Sequence, residues 1–344
     1  MTNAEPTNQP GTDARIVLDL LDGFRASKAA FTAVSLGIFD LLHERPLTLS
    51  QLTQQLNANG SAIEHLLGAC VALHLLSLTD GVYRNEPPAE RYLRVESPET
   101  LSGYVLYSDR VLYPLWGCLG NAVKEGTNRW EQVFDGKANL FDHFFATDDE
   151  KRTFLAGMHG AGMLSSPAAV AAFDLGRFRR MLDLGGGTGH LVMEACRQHH
   201  NLQGVIFDLP SIKTVAEEYV HAAHLSDRIE VIAGDFFADP LPPADLYALG
   251  RIIHDWSEHK VVPLLDKINE SLPDGGALLI CEKLLNDKRD GPATAYLQSL
   301  NMLVCTDGRE RTAVEYESLV KSAGFRELQV HRTGQPVDAM LALK

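Results

Sequence analysis

Gly185-Gly186-Gly187-Thr188-Gly189 follows the apolar run Met181-Leu-Asp-Leu184. That is the pattern of a buried strand turning into a helix whose N–H groups face a ligand. The spacing is Asp-x-Gly-x-Gly-x-Gly from Asp183 to Gly189. A nicotinamide dinucleotide fingerprint needs a third glycine at G-x-G-x-x-G, and His190 and Val192 stand there instead. Asp208 ends the next apolar run, where a carboxylate accepts hydrogen bonds from both hydroxyls of a ribose and disfavours a 2′-phosphate. Gly234-Asp235-Phe236 closes a third run, pairing a polar group with an apolar face that suits a purine. Together these strand ends describe a site for an adenine nucleoside, and nothing in them requires a pyrophosphate.

A base stands beside that site. Arg251-Ile-Ile-His254-Asp255-Trp256 puts an imidazole just past a fourth strand. A lone histidine is usually structural, but Glu282 ends the neighbouring strand and Glu310 follows the next helix. Carboxylates next to an imidazole fix its tautomer and stabilise the imidazolium formed on proton transfer. The competing reading of the two glutamates is solvated surface charge, and it is stronger for Glu310, flanked by Arg309 and Arg311. No H-x-x-x-H or carboxylate cluster of ligand spacing accompanies them, so no metal is expected.

The elements that must position these residues alternate. From Phe178 onward, strand, turn and helix repeat through Val205–Asp208, Ile229–Ile232, Asp245–Leu249 and Ala277–Glu282. The capping box Thr312-x-x-Glu315 opens a helix that Gly324 closes, and two terminal strands follow. This predicts an α/β domain over 176–344, a doubly wound parallel sheet with its ligand at the carboxyl ends of the strands. Residues 98–175 read as a helical linker rich in aromatics, among them Tyr104, Trp116, Trp130, Phe141, Phe144 and Phe145. Most of these are expected in the core, with some available to line a substrate pocket.

Residues 1–13 are polar, with Pro6, Pro10 and Gly11, and are expected to fray. Over 14–97 the pattern is helical to Leu42 with a break at Gly37. A short helix capped by Ser50 and a second opened by Ser61-x-x-Glu64 and running to about Leu76 come next, then a hairpin across Asp80-Gly81. That outline is a winged helix. Pro46 to Leu76 contains no Lys or Arg, and a recognition helix without cations can neither neutralise phosphates nor read guanine. A packing or dimerisation module is therefore expected. The whole-chain balance agrees: 31 basic against 45 acidic residues give −14, a field that repels nucleic acid and acidic lipid. The five cysteines are dispersed, without a C-x-x-C pair, and no stretch is long and apolar enough to span a bilayer. A cytoplasmic protein of two domains is expected.

Arg251–Trp256, Gly234–Phe237, Ser299-Leu-Asn-Met-Leu-Val304, Gly308-Arg-Glu-Arg-Thr312 and Ser322-Ala-Gly-Phe325 resemble the S-adenosylmethionine-dependent small-molecule O-methyltransferases of the plant caffeate and flavonoid type. The likeness runs from about residue 15 to the C-terminus and is greatest to the acetylserotonin branch. It implies a Rossmann-like sheet, mostly parallel with an antiparallel last strand, and an N-terminal winged-helix-like domain that forms a homodimer. It also implies methyl transfer to a hydroxyl of a small aromatic such as a phenol, hydroxyindole or polyketide. Carried over, Gly185, Asp208, Asp235, Phe236 and Arg251 would hold the cofactor, with Asp183, Gly187, Leu209 and Gly234 beside them. His254 would be the general base, positioned by Glu282 and Glu310. Phe154, Met158, Asp255, Asn301, Met302 and Cys305 would face the reactive methyl or the substrate. A tyrosine and a tryptophan that reach the cofactor in the acetylserotonin branch align with Phe145 and Gly162, and a substrate-binding glutamine with Cys305. Those departures leave the strand-end residues in place and fall on positions that would face the cofactor's methionine end or the substrate. The rival readings are N- or C-methylation, a drift to decarboxylation, and a ligand-sensing winged-helix regulator.

Overall fold

The computed structural model describes residues 13–134 and 147–344. Its contacts divide the chain into two compact units that meet at Asp109 and Arg110.

In the first unit, helix α1 (Ala14–Ser35) is capped by the Asp13 side chain, and Gly37 at φ 69° turns the chain into α2 (Ile38–Glu44). Strand β1 (Leu47–Thr48) leads into α3 (Leu49–Gln55), then α4 (Gly60–Ala72). The expected caps at Ser50 and Ser61 are corrected. Thr48 holds the first helix in a full capping box with Gln51, and the Asn59 side chain accepts from Ala62 N–H to start the second. Thr48 is held in extended geometry by pairing with Val82, so its hydroxyl sits where a cap must sit. The second helix stops at Ala72 rather than Leu76 because Leu76 is claimed by β2 (Leu76–Thr79). Asp80 and Gly81, both at positive φ, form the hairpin to β3 (Val82–Asn85), as two-residue turns of this hand require. The order β1-β3-β2 completes the wing. Helices α5 (Pro87–Tyr92) and α6 (Ser102–Tyr107) close the unit, Val105 and Leu106 packing on a core of Ile38, Phe39, Leu52, Leu67 and Leu76.

In the second unit, α7 (Tyr113–Gly117), α8 (Leu119–Glu125) and α9 (Trp130–Val133) precede the long α10 (Asp148–Ala171). Trp130 is fully buried, its indole N–H donating to the Cys305 carbonyl at 2.6 Å. The positions Phe141, Phe144 and Phe145 lie outside the described residues. The α/β pattern then runs β4 (Arg180–Leu184), α11 (His190–Gln198), β5 (Gln203–Asp208), α12 (Lys213–Ala222), β6 (Ile229–Ala233), β7 (Leu246–Gly250), α13 (Glu258–Ser271) and β8 (Ala277–Glu282). It ends with α14 (Ala293–Cys305), α15 (Ala313–Ser322), β9 (Glu327–His331) and β10 (Asp338–Leu343).

The seven strands are ordered β6-β5-β4-β7-β8-β10-β9, and only β10 runs against its neighbours. The last strand in sequence is thus the antiparallel one, inserted between β8 and β9. Both faces are covered, which is why the central strands read as near-continuous apolar runs. Along β8, Ala277, Leu279 and Cys281 enter one core while Leu278 and Ile280 enter the other. This two-residue alternation puts Glu282 on the second face. Successive strands step outward from β4 in opposite directions, toward β5 on one side and β7 on the other. The carboxyl ends of β4 and β7 therefore border the crevice where open α/β sheets bind ligands.

Candidate active site

The glycine turn leaves β4 at that crevice. Gly185, Gly187 and Gly189 all adopt positive φ. A Cβ on Gly185 would stand 2.7 Å from Ile252 Cδ1 and 3.2 Å from Phe236 Cε1, so only glycine lets the backbone pass between those two apolar side chains. Asp183 is buried beneath the turn, its carboxyl group under Gly186, and burial pushes its pKa up to about 7. It shapes the loop from below. Asp208, at the end of β5, accepts the Gly187 N–H on Oδ2 at 2.8 Å and the Leu209 N–H on Oδ1 at 2.7 Å. Burial drives its pKa up to about 6 against the pull of those two donors. Each oxygen keeps a further lone pair for a hydroxyl. Gly234 lies against the Phe207 ring, where a Cβ would overlap it. Past it, Asp235 Oδ1 caps Phe237 N–H at 2.8 Å, and Lys267 Nζ holds the turn through the Phe236 carbonyl at 2.9 Å. Arg251 sits at φ 58° directly after β7, an unusual conformation for a residue with a Cβ.

Helix α10 lies along the turn on one stripe. A Cβ on Gly187 would meet Leu155 Cδ2 at 3.7 Å, the His159 ring nitrogen Nδ1 is 2.8 Å from Thr188 Oγ1, and Ser166 Oγ is 2.8 Å from His190 Nδ1. Between them Gly162 lies against the His190 imidazole so closely that any Cβ would overlap the ring. Residues 155, 159, 162 and 166 recur at helical spacing. The same helix places Phe154 in a cluster with Leu155, Leu209 and Ile212, and Met158 follows it one turn on.

The histidine and both glutamates meet. His254 stands in a single helical turn, Ile253–Asp255, and is 5% exposed. Its Nδ1 is 2.7 Å from Glu310 Oε1 and 3.2 Å from Glu282 Oε2, and its Nε2 is 3.7 Å from Asp255 Oδ1. Glu282 and Glu310 are 0% and 1% exposed, which removes the reading of either as surface charge. Glu282 Oε1 also accepts the N–H groups of Ile252, Ile253 and His254 at 3.0, 2.9 and 3.3 Å. Burial opposes a charged imidazole, yet Glu282, Glu310 and Asp255 outweigh it and raise the His254 pKa to about 10. Burial likewise lifts Asp255 to about 6. One donor atom from each of His254, Glu282 and Glu310 falls within 4.8 Å of the others, a ligand-like grouping that sequence spacing did not reveal. Within it, Nδ1 is engaged by Glu310 and Glu282 Oε1 by three backbone donors, while Oε2 of Glu282 and Oε2 of Glu310 are buried without a hydrogen-bond partner.

The substrate-side candidates on α14 are all buried: Asn301, Met302 and Cys305 are 9%, 5% and 2% exposed. Asn301 Oδ1 accepts the Trp116 indole N–H at 2.8 Å.

Residues 116–326 match the O-methyltransferase domain model and residues 18–95 the O-methyltransferase dimerisation domain model. The chain belongs to the O-methyltransferase family. It is 40% identical to acetylserotonin O-methyltransferase of Gallus gallus, over 96% of this chain and 97% of that one. The crystal structure of human N-acetylserotonin methyltransferase in complex with SAM superposes with a TM-score of 0.91 at 37% identity, covering 100% of this chain and 99% of that one. The structure of PigF with SAH gives 0.88 at 28%, covering 96% and 100%.

This O-methyltransferase brings together at one sheet edge a turn that admits no Cβ at Gly185 and a buried Asp208 carboxylate with spare lone pairs. Sequence reasoning named Gly162 only as an aligned position and missed its contact with His190, the His159–Thr188 contact and the Trp116–Asn301 hydrogen bond. The helical spacing of 155, 159, 162 and 166 was the available signal, but it does not say what a helix faces.

Proposed function

We propose that this S-adenosylmethionine-dependent O-methyltransferase methylates a hydroxyl of a small aromatic molecule, of the phenol or hydroxyindole class, with His254 as general base. When bound, S-adenosylmethionine supplies a methyl made electrophilic by its sulfonium. The chain's work is then to hold donor and acceptor and to take the acceptor's proton. Asp208 would bind the ribose hydroxyls, Phe236 and Ile252 would pack on the base, and Asp235 and Arg251 would complete the donor site. Phe154, Met158 and Met302 would surround the acceptor ring, with Asn301, Asp255 and Cys305 at its edge. A phenol of pKa ~10 is almost wholly protonated at neutral pH, and a positioned base contributes about 10²–10⁴ in rate.

The single observation that carries this reading is the 2.7 Å contact of His254 Nδ1 with Glu310. It occupies one ring nitrogen, so that Nε2, once it has lost its own proton, is the one left to take the hydroxyl proton. As that proton arrives, Glu310 and Glu282 stabilise the imidazolium. The dimerisation domain and the exposed apolar face of α1 support a homodimer, and five free thiols suit a cytoplasmic setting. Among the described residues no helix is long and apolar enough to cross a membrane.

The test is a panel of phenols, hydroxyindoles, amines and carbon acids offered with labelled donor to the parent and to His254→Ala. Labelled O-methyl product from the parent, and at least a 100-fold slower rate from a variant that still binds donor, is expected. Product on amines or carbon acids alone, or parental turnover by His254→Ala, would overturn the assignment.

A further inference from the structure

Glu310 reaches His254 from the segment Gly308-Arg309-Glu310-Arg311, and that segment grips the histidine turn at more than one point. Arg311 is 1% exposed. Its Nη1 donates to the Ile253 carbonyl at 3.2 Å and its Nη2 to the Trp256 carbonyl at 3.3 Å. One planar guanidinium thus spans the peptide groups that flank His254 and Asp255. Its own carbonyl accepts the Leu285 N–H at 3.0 Å, which anchors it to the chain beyond β8. At Gly308, a Cβ would overlap the His254 carbonyl oxygen and stand 2.6 Å from Trp256 N. Only a glycine allows the segment this close.

The turn is therefore held by both of its polarities. Glu282 takes the N–H groups of Ile252, Ile253 and His254, and Arg311 binds the carbonyls of Ile253 and Trp256. A buried charge is costly and needs well-placed partners, and a fixed donor fork serves carbonyls pointing in set directions in a way a lysine ammonium cannot.

We propose that Arg311, seated by Gly308, is a positioning residue: it holds the Ile253–Trp256 turn so that Nδ1 stays on Glu310 while Nε2 faces the acceptor. This rests on the reading of His254 as the base. Arg311 acts only through that histidine.

The test uses the full chain as Arg311→Lys, Arg311→Met and Gly308→Ala. Three quantities are read: donor affinity by calorimetry, kcat and KM across pH with an acceptor taken from the panel above, and the downfield NMR signal of the His254 Nδ1 proton. Arg311→Lys is expected to bind donor within about twofold of the parent and to lose about 10- to 100-fold in kcat, the scale of a small misplacement of a catalytic group. KM should change little. The acid limb should move to lower pH as the imidazole drifts from its carboxylates, and the downfield signal should broaden or shift. A purely structural role would lower thermal stability and leave the kcat, pH limb and signal of the folded protein at parental values, and that result overturns the proposal. Should both arginine variants fail to fold, Gly308→Ala decides on the same three readouts, since it keeps the guanidinium and displaces the His254 carbonyl. His254→Ala separates the two ideas. Parental turnover there removes the base, whereas an inactive His254→Ala beside a fully active Arg311→Lys removes only the positioning role.

Discussion

His254 Nδ1 lies 2.7 Å from Oε1 of Glu310, a residue whose sequence neighbours are two arginines. Arg309 turns outward to Glu258 and Glu315, Arg311 turns inward to the histidine turn, and Glu310 alone enters the buried pair. Charge pattern along the segment points to solvent. The fold reverses that by threading the segment past Gly308.

The pH dependence of turnover follows from this pair. Three carboxylates, opposed by burial, raise the His254 pKa to about 10, so the resting imidazole holds its proton at neutral pH and would have to lose it before serving as the proposed base. Turnover is expected to rise as pH increases from neutral. Glu310→Gln removes one of the charges that favour the imidazolium, so its limb should move to lower pH, with a lower plateau. A pH–rate profile in which parent and variant share one limb would show that the limb belongs to another group.

Stability should move the opposite way. The folded state holds the His254 proton above the ordinary value of 6.5, so the stabilisation from this group is complete below about 6.5 and is lost as pH rises toward 10. Melting temperatures of the parent should decline over that window, and Glu310→Gln should flatten the decline. Equal slopes for the two proteins would contradict it.

Asp208 accepts two backbone N–H groups and is the residue proposed for the ribose. Asp208→Asn keeps the size and loses the charge, and donor binding measured by calorimetry should weaken about 10- to 100-fold, the scale of hydrogen bonds to a charged group. Asp208→Ala, which also frees the Gly187 and Leu209 N–H groups, should weaken it further. Unchanged affinity in both variants would remove the ribose role.

Gly162 and His190 share one space. Gly162→Ala would drive a Cβ into the imidazole and should destabilise the fold by about 1–3 kcal/mol, the usual cost of overpacking. His190→Ala should relieve most of that in the double variant, a coupling that denaturant titration of the four proteins would resolve. Strict additivity would mean that the ring moves aside freely.

Helix α1 presents Ile16, Leu20 and Phe24 to solvent, 56%, 75% and 53% exposed, one turn apart on a single face. Leu20→Asp with Phe24→Asp should shift a dimer toward monomer in light scattering, while the monomer keeps its helical content. A pair of charges that leaves the mass unchanged would place the interface elsewhere.

The sequence by itself determined the α/β alternation, the glycine turn, Asp208 at its strand end, the Asp80-Gly81 hairpin and the Thr312–Glu315 cap. Each rests on local chemistry, either a period of two or 3.6, or a backbone angle only glycine tolerates. Caps were less legible: Ser50 and Ser61 had the right types, yet Thr48 and Asn59 had the right backbone, because strand pairing to Val82 fixed Thr48 in place. Only the tertiary structure decided which charges are buried, that Glu310 joins His254 across 56 positions, that Arg311 clasps the turn, and that Gly162 exists to admit His190. Those depend on which segments approach one another, and a one-dimensional pattern does not contain that distance.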